Sequence, residues 1–244
     1  MHYNKIHVGT SGWDYDDWHG PFYPKGVRGK EQLTYYATQF DSVEVNATFY
    51  RIPSEKVIES WNHRLKKGFH LVVKGPRTIT HLKKLNNCEG TLKLFLDRVL
   101  ALQPLKVILW QLPPGLHKNL DVLEHFLKSL PTSIRHAFEF RHQSWWAEEV
   151  TEVLARHRAA MVAVSHPSIP DTILPTTDFL YLRFHGQGKE LYNYNYSKKE
   201  LRWWATRIKD RLKNRTLYAF FNNDYHSYAP RNAALFRRLL LADD

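Results

Sequence analysis

Residues 135–146 read RHAFEFRHQSWW, and the reading of this stretch decides the fold. Phe138 and Phe140 alternate with Glu139 and Arg141. In a strand successive side chains point to opposite faces, so the phenylalanines share one face and the charged pair shares the other. A strand that is apolar on one face and charged at its C-terminal end on the other is odd in a plain core. It is common where a barrel presents chemistry at its rim. Ser144 is then the predicted N-cap of a helix starting at Trp145. The stretch reads as strand, polar rim and helix start.

Outward from it the same unit repeats. Strands are predicted at 6–10, 41–46, 69–74 and 107–111 before it, and at 160–165, 179–185 and 217–222 after it. Between them helices are predicted at 30–39, from a Ser54 cap to about 66, at 91–102, 120–130 and 145–157, from a Ser197 cap to about 212, and at 228–241. A long aromatic loop over 14–29 follows the first strand, and loops of that length in a compact domain usually carry function. Alternating strands and helices imply a parallel sheet. Eight such units in 244 residues imply an α/β fold, a single (β/α)8 TIM barrel with eight parallel strands and one domain over 1–244. The GTSGW turn at 9–13 lacks the G-x-G-x-x-G spacing that a doubly wound nucleotide-binding sheet would carry.

A chain of this length buries roughly 70% of its unfolded surface, enough to need no disulfide or metal. Its single cysteine, Cys88, excludes an intramolecular disulfide and fits a reducing compartment. The start, MHYNKIHV, has no apolar signal region, and no apolar run approaches a membrane span, so a cytoplasmic protein without a membrane partner is expected. A net charge of +11 favours anionic partners, either small phosphorylated metabolites or nucleic acid.

Barrel parity says what the C-terminal rim carries. Inward positions at the strand ends are Glu44 and Asn46, Lys74, Gln111, Glu139 and Arg141, Arg183 and His185, and Asn222, with Asn223 beside it. One rung below, the same parity gives Val72, Leu109, Ala137, Tyr181 and Phe220. Polar ends of one parity on so many strands are hard to produce by packing alone, because each buried charge must be desolvated and paired. A ligand pocket is expected there.

The segments HVGTSGWDYDDW, VEVNATFYRIP, KGPRTITH, LWQLPP, FEFRHQSWW, YLRFHG and FNNDYHSYAPRNA occur in that order over about 7–233. As a set they resemble the YecE-like family, a domain of unknown function. The resemblance implies a TIM barrel with these motifs gathered at one face, and no reaction. Likeness of such barrels to endonuclease IV and sugar isomerases suggests nucleic-acid or metal chemistry by analogy of fold alone. Two positions depart from the family pattern: Ser227 stands where glycine is usual, and Ser165 where an acidic residue is expected.

Glu44 and Glu139 are candidates for acid/base work, as in a hydrolase or lyase. Their strands lie well apart round the barrel, which argues against the separation of about 5–5.5 Å that a retaining glycosidase needs. As structural groups, Glu44 would pair with Lys74, and Glu139 with Arg141 or Arg183. Lys74 reads as a Schiff-base amine or, more simply, a point charge facing an anion. With His185 these form the candidate catalytic set. Trp13, Asn46, Tyr50, Gln111, Arg141, Arg183, Asn222 and Asn223 are the candidate substrate contacts, the guanidiniums for phosphate or carboxylate and the aromatic rings for stacking. No H-x-H or H-E-x-x-H spacing occurs, and no metal or other cofactor is assigned. Three readings stay open: an enzyme for a small anionic, even nucleotide-like, ligand; a nucleic-acid binding or processing protein; and a non-catalytic ligand-binding barrel.

Overall fold

The computed structural model describes residues 5–242, so the ends of the predicted domain, 1–4 and 243–244, lie outside the described residues. Strand segments β1 (Ile6–Thr10), β2 (Ser42–Val45), β3 (His70–Lys74), β4 (Leu105–Gln111), β5 (Arg135–Glu139), β6 (Ala160–Met161), β7 (Ala163–Ser165), β8 (Phe179–Phe184) and β9 (Thr216–Phe221) follow in order. Among them run helices α1 (Lys30–Gln39), α2 (Ala47–Tyr50), α3 (Glu55–Arg64), α4 (Glu89–Val99), α5 (Leu120–Lys128), α6 (Glu148–Arg156), α7 (Lys198–Leu212) and α8 (Tyr228–Leu241). None of these helices is long and apolar enough to cross a membrane.

All strand pairs are parallel, in two sheets ordered β2-β3-β4-β5-β6 and β1-β9-β8-β7. The predicted sixth strand is therefore two segments. Up to Met161 it pairs with β5, the Val162 amide still donates to Phe138 O at 2.9 Å, and from Ala163 it pairs with β8. The chain hands its pairing from one neighbour to the other, and the break falls at the hand-over. At the opposite junction Ser11 forms a parallel bridge to Glu44, and the Gly12 amide donates to Glu44 O at 2.8 Å. Gly9 allows that approach, because a Cβ there would lie 2.1 Å from Ser42 O.

Period-two alternation sorts the strand side chains into two apolar clusters. Phe138 and Phe140 join the large cluster between strands and helices. Val72, Leu109, Ala137, Tyr181 and Phe220, predicted to point the other way, all lie in a second, separate cluster. The predicted parity holds.

Helix starts follow their caps where the side chain is free to turn inward on the backbone. Ser197 and Glu200 close a full capping box on α7, and Asn119 Oδ1 accepts from Val122 N at 3.1 Å on α5. Ser54 stands at the N-cap of α3 but its hydroxyl makes no cap bond. The helix predicted from Trp145 is corrected: 143–145 form a single 3-10 turn and α6 begins at Glu148. The indole explains the delay. Trp145 is buried, stacked on Phe140 at 4.5 Å, with Nε1 donating to Leu116 O at 2.7 Å. Ser144 is thereby drawn away from capping, and its Oγ accepts from Lys118 N at 2.8 Å.

His136, on the outward face of β5, shows how tightly this layer sets protonation. Trp110 Nε1 can only donate, and it lies 3.1 Å from His136 Nδ1, so Nε2 carries the proton and donates to Pro131 O at 2.9 Å. Burial pushes the pKa down to about 4, with the Pro131 bond working against the shift. A folded pKa below the unfolded value of about 6.5 gives stability that is complete above that pH and is lost as pH falls toward 4. Nitrogen-resolved NMR of the histidines should show His136 as the neutral Nε2–H tautomer down to about pH 4. A ring that titrates near 6.5 would contradict this account.

Candidate functional site

The polar side chains predicted at the strand ends meet in one buried network whose centre is Arg183. On β2, Glu44 is fully buried, and its Oε1 accepts from Arg183 Nη2 at 2.6 Å, Arg183 Nε at 3.1 Å and Ser11 Oγ at 2.7 Å. Its Oε2 accepts from Tyr181 OH at 2.6 Å. Glu139, also fully buried at the end of β5, accepts from Arg183 Nη1 at 2.6 Å and from Arg141 Nε.

Two strands separate β2 from β5, as expected, yet Glu44 and Glu139 share one guanidinium. The expected Glu44–Lys74 pair does not form, while Glu139 pairs with both arginines. Burial alone would raise the Glu139 pKa; Arg141 and Arg183 outweigh it and hold the carboxyl well below its ordinary range.

His185, wholly buried, continues the network. Burial first, then Arg141 and Arg183, hold its pKa well below the usual imidazole value, so the ring is neutral. Arg141 Nη2 lies 2.8 Å from Nε2, and a guanidinium can only donate, so Nδ1 carries the proton. At the Asn222 amide, 3.1 Å from Nδ1, oxygen rather than nitrogen has to face the ring. Asn46 Nδ2 lies 3.4 Å from the other atom of the Asn222 amide, and Asn46 Oδ1 is buried without a hydrogen-bond partner.

Lys74 ends β3 with its Nζ over the Phe49 ring, 4.0 Å from the centroid. Among the described residues no carboxylate lies in ion-pair range of it. Burial and then Arg183 lower its pKa to about 7, with Glu139 and Glu44 opposing. Gln111 is buried nearby in register with Glu139, its Nε2 donating to Leu112 O at 3.0 Å. Trp13 packs edge-on against Trp61, and Tyr50 is 79% exposed at the end of α2. Asn223 is not brought to this network: its Nδ2 donates to Tyr194 O at 2.7 Å and to Asn232 Oδ1 at 2.8 Å.

Ser11 and Tyr181 were missed as site residues. Tyr181 shares parity with Arg183 two positions on, which was the available signal, but its ring reads as apolar core and the reach of its hydroxyl is a tertiary fact. His142 turns away, stacked on His117 at 3.8 Å. Among the described residues no three His, Cys, Asp or Glu side chains gather to hold a metal ion. Ser165, where an acid was expected, accepts at Oγ from Tyr196 OH at 2.8 Å and Gln187 Nε2 at 3.0 Å. Ser227, where glycine is usual, has a left-handed φ of 56°.

A cavity of about 380 Å³ opens beside the network, lined by Tyr15, Asp16, Asp17, Tyr192, Asp224 and Tyr225. Another, of about 830 Å³, lies near the N-terminal end of β5 among Pro131, Arg135 and Arg158, away from every candidate residue.

Arg183→Met removes the shared partner of two buried carboxylates, and breaking such pairs costs roughly 3–5 kcal/mol. Urea unfolding should show a loss of that size, partly recovered when Glu44→Gln is added. Equal stability of wild type and Arg183→Met would show that the network is not holding the strand ends together.

The family described as "Protein of unknown function DUF72" matches residues 7–244. The UPF0759 protein YecE of Escherichia coli K12 is 34% identical over 146 residues, which cover 59% of this chain and 51% of YecE, so the match spans about half that relative's length. The UPF0759 protein YunF of Bacillus subtilis is 24% identical over 96% of this chain and 94% of its own. The crystal structure of a DUF72 family protein from Thermotoga maritima overlays with a TM-score of 0.87 at 32% identity, covering 97% of this chain and 99% of that one.

Proposed function

The chain belongs to the DUF72 family of proteins of unknown function, and from that premise we propose that it is an enzyme whose C-terminal strand ends bind a small anion bearing phosphate or carboxylate. The two sheets are, in this reading, arcs of one eight-stranded barrel whose sixth strand is split at Val162. One observation carries the proposal. Arg141 and Arg183 are matched by Glu139 and Glu44, while Lys74 is left without a carboxylate. Two carboxylates against three cations leave one positive charge uncompensated at the strand ends whenever Lys74 is protonated. A ligand with one negative charge at Lys74 would balance it, with Arg141, Asn46, Asn222 and Gln111 as hydrogen-bonding neighbours.

Glu44 and Glu139 serve here mainly to hold the arginines, since their oxygens are already occupied. Lys74 is the group suited to gain and lose a proton near neutrality, in the acid/base step of a hydrolase or lyase. In this reading Trp13 and exposed Tyr50 would offer rings to a planar, nucleotide-like part of a substrate. The +11 charge also favours the second reading, in which the anion is a phosphate of nucleic acid; that predicts affinity falling steeply with salt.

A bound anion should raise the Lys74 pKa, so phosphate binding above pH 7 should take up a proton. Calorimetry with inorganic phosphate in buffers of different ionisation enthalpy measures this. Lys74→Met should weaken phosphate binding by about tenfold or more. A lysine pKa depressed in the folded state destabilises at neutral pH, and the cost is relieved as pH rises from about 7 toward 10.4. The same substitution should therefore stabilise the fold at pH 7 by roughly 1–2 kcal/mol. Unchanged phosphate affinity in Lys74→Met would remove the basis of the proposal.

A further inference from the structure

The end of β3 is clamped in place. The Thr48 hydroxyl accepts from the Lys74 amide at 3.1 Å and donates to Lys74 O at 2.7 Å, which ties the strand end to α2. Phe49 follows Thr48 on α2, and the Lys74 Nζ lies over its ring, 4.0 Å from the centroid. Beyond Gly75 and Pro76 the chain enters one π-helical turn, Thr78–Leu82, a form concentrated at functional sites. That turn sets His81 edge-on against the same Phe49 ring, 4.9 Å between centroids. On the premise that these strand ends bind a small anion, we propose that Lys74 forms an imine with an anionic carbonyl compound and that His81 carries the proton of that step.

The surroundings of Nζ suit a free amine better than an ammonium. Lys74 is half-buried, and among the described residues its Nζ has neither a hydrogen-bond acceptor nor a carboxylate in ion-pair range. Glu44 and Glu139 cannot swing over to it, because both oxygens of each are held by arginine, serine or tyrosine donors. An ammonium would leave its donors unmet there, whereas a neutral amine has a lone pair to offer. His81, also half-buried, is set to take a proton. The Thr80 hydroxyl donates to Pro76 O at 3.2 Å and has no second hydrogen, so at 2.9 Å it accepts from His81 Nδ1–H. Nε2 then keeps its lone pair, and among the described residues nothing occupies it.

The charged groups that face Lys74 are Arg183 from β8, Glu139 and Arg141 from the end of β5, Glu44 from β2 and His81 from the turn after β3. Burial and then Arg183 bring the Lys74 pKa to about 7, against the two glutamates. Burial, then Lys74, Arg77 and Arg141, hold His81 at about 4, so its imidazole is neutral at pH 7. At that pH roughly a thousand times more of Lys74 is free amine than of a lysine with the ordinary pKa of about 10.4.

The step balances with a carbonyl compound and solvent protons alone. The Nζ lone pair attacks the carbonyl carbon, and the π pair of the C=O bond moves to oxygen. His81 Nε2 takes one proton from the nitrogen and returns it to that oxygen, giving a hydroxyl. A second proton, from solvent, lets the hydroxyl leave as water while the nitrogen pair closes the C=N bond. The resulting iminium keeps its N–H and carries the same single positive charge as the ammonium. An anionic group on the ligand, held by Arg141 with Asn46, Asn222 and Gln111, balances that charge. The class selected is therefore a carbonyl within a few bonds of a carboxylate or phosphate, and hydrolysis reverses the sequence.

The test is borohydride trapping on the full wild-type chain near neutral pH. Pyruvate and dihydroxyacetone phosphate, as carboxylate and phosphate members of the class, are each mixed with the protein. Samples are reduced at timed intervals, and peptide mass spectrometry locates the secondary amine. At least one of the two should label Lys74, about a hundredfold or more faster than exposed lysines such as Lys66 and Lys198 in the same sample. His81→Gln should slow labelling about tenfold or more and leave its final extent unchanged, because a proton carrier alters rate and not equilibrium. Added imidazole should restore part of the rate, which a merely structural loss would not allow. Three outcomes would overturn the proposal: Lys74 labelled no faster than exposed lysines by either compound, equal labelling by acetone, or an unchanged rate in His81→Gln. Inorganic phosphate titrated calorimetrically into the same sample separates the two failures. Phosphate bound without any imine sinks this step alone, and phosphate unbound sinks the anion reading on which it rests.

Discussion

The guanidinium of Arg183, buried with two carboxylates, is the constraint on which the rest of this protein depends. An isolated charge at that depth would be prohibitively costly, and so would either glutamate alone. Together they are tolerable because each ion supplies the other's hydrogen bonds. The partners come from different places: Glu44 and Glu139 from β2 and β5 of the five-stranded sheet, Arg183 from β8 of the four-stranded one. The ion bridge therefore ties the two sheets across their common interior. Ser11 and Tyr181 complete the set from β1's end and from β8, so that Glu44 has no oxygen left for other chemistry.

What surrounds this bridge differs from side to side. Toward β3 and β5 stand Lys74, Arg141 and the neutral imidazole of His185, with amides beside them. Toward the loops after β1, β8 and β9 stand carboxyls and phenols. A ring of predicted cations has thus become a nearly neutral core with a positive and a negative flank. The overall excess of basic residues belongs mostly to the helices and loops outside and says little about the interior.

Most of the fold was legible because it rests on local pattern. The alternation in RHAFEF, the cap residues Ser197 and Asn119, and the strand-helix repetition all act over a few residues, and tertiary packing agrees with them. Parity reached further, placing Glu44, Glu139, Arg183, His185 and Lys74 at one end of the strands before any contact was known. Errors arose where a side chain answers to a distant neighbour. Trp145 gives up a helix turn to stack on Phe140, and the sixth strand breaks at Val162 because its two halves serve different partners. The orientation of Tyr15, Tyr192 and Asp224 was not legible because they lie in loops, where no periodicity tells which way a side chain turns.

The amino-acid order by itself determined the class of fold, the face on which the polar residues gather and the family to which the chain belongs. It did so through periodicity and motif order, which need no partner to be read. Only the tertiary structure decided who pairs with whom. The packing of the two sheets brings Glu44 and Glu139 to a single guanidinium, leaves Lys74 unmatched and brings three loops together round one acidic cavity. Those outcomes depend on distances between residues far apart in the chain. They follow from where side chains converge, and periodicity along the chain contains no measure of that.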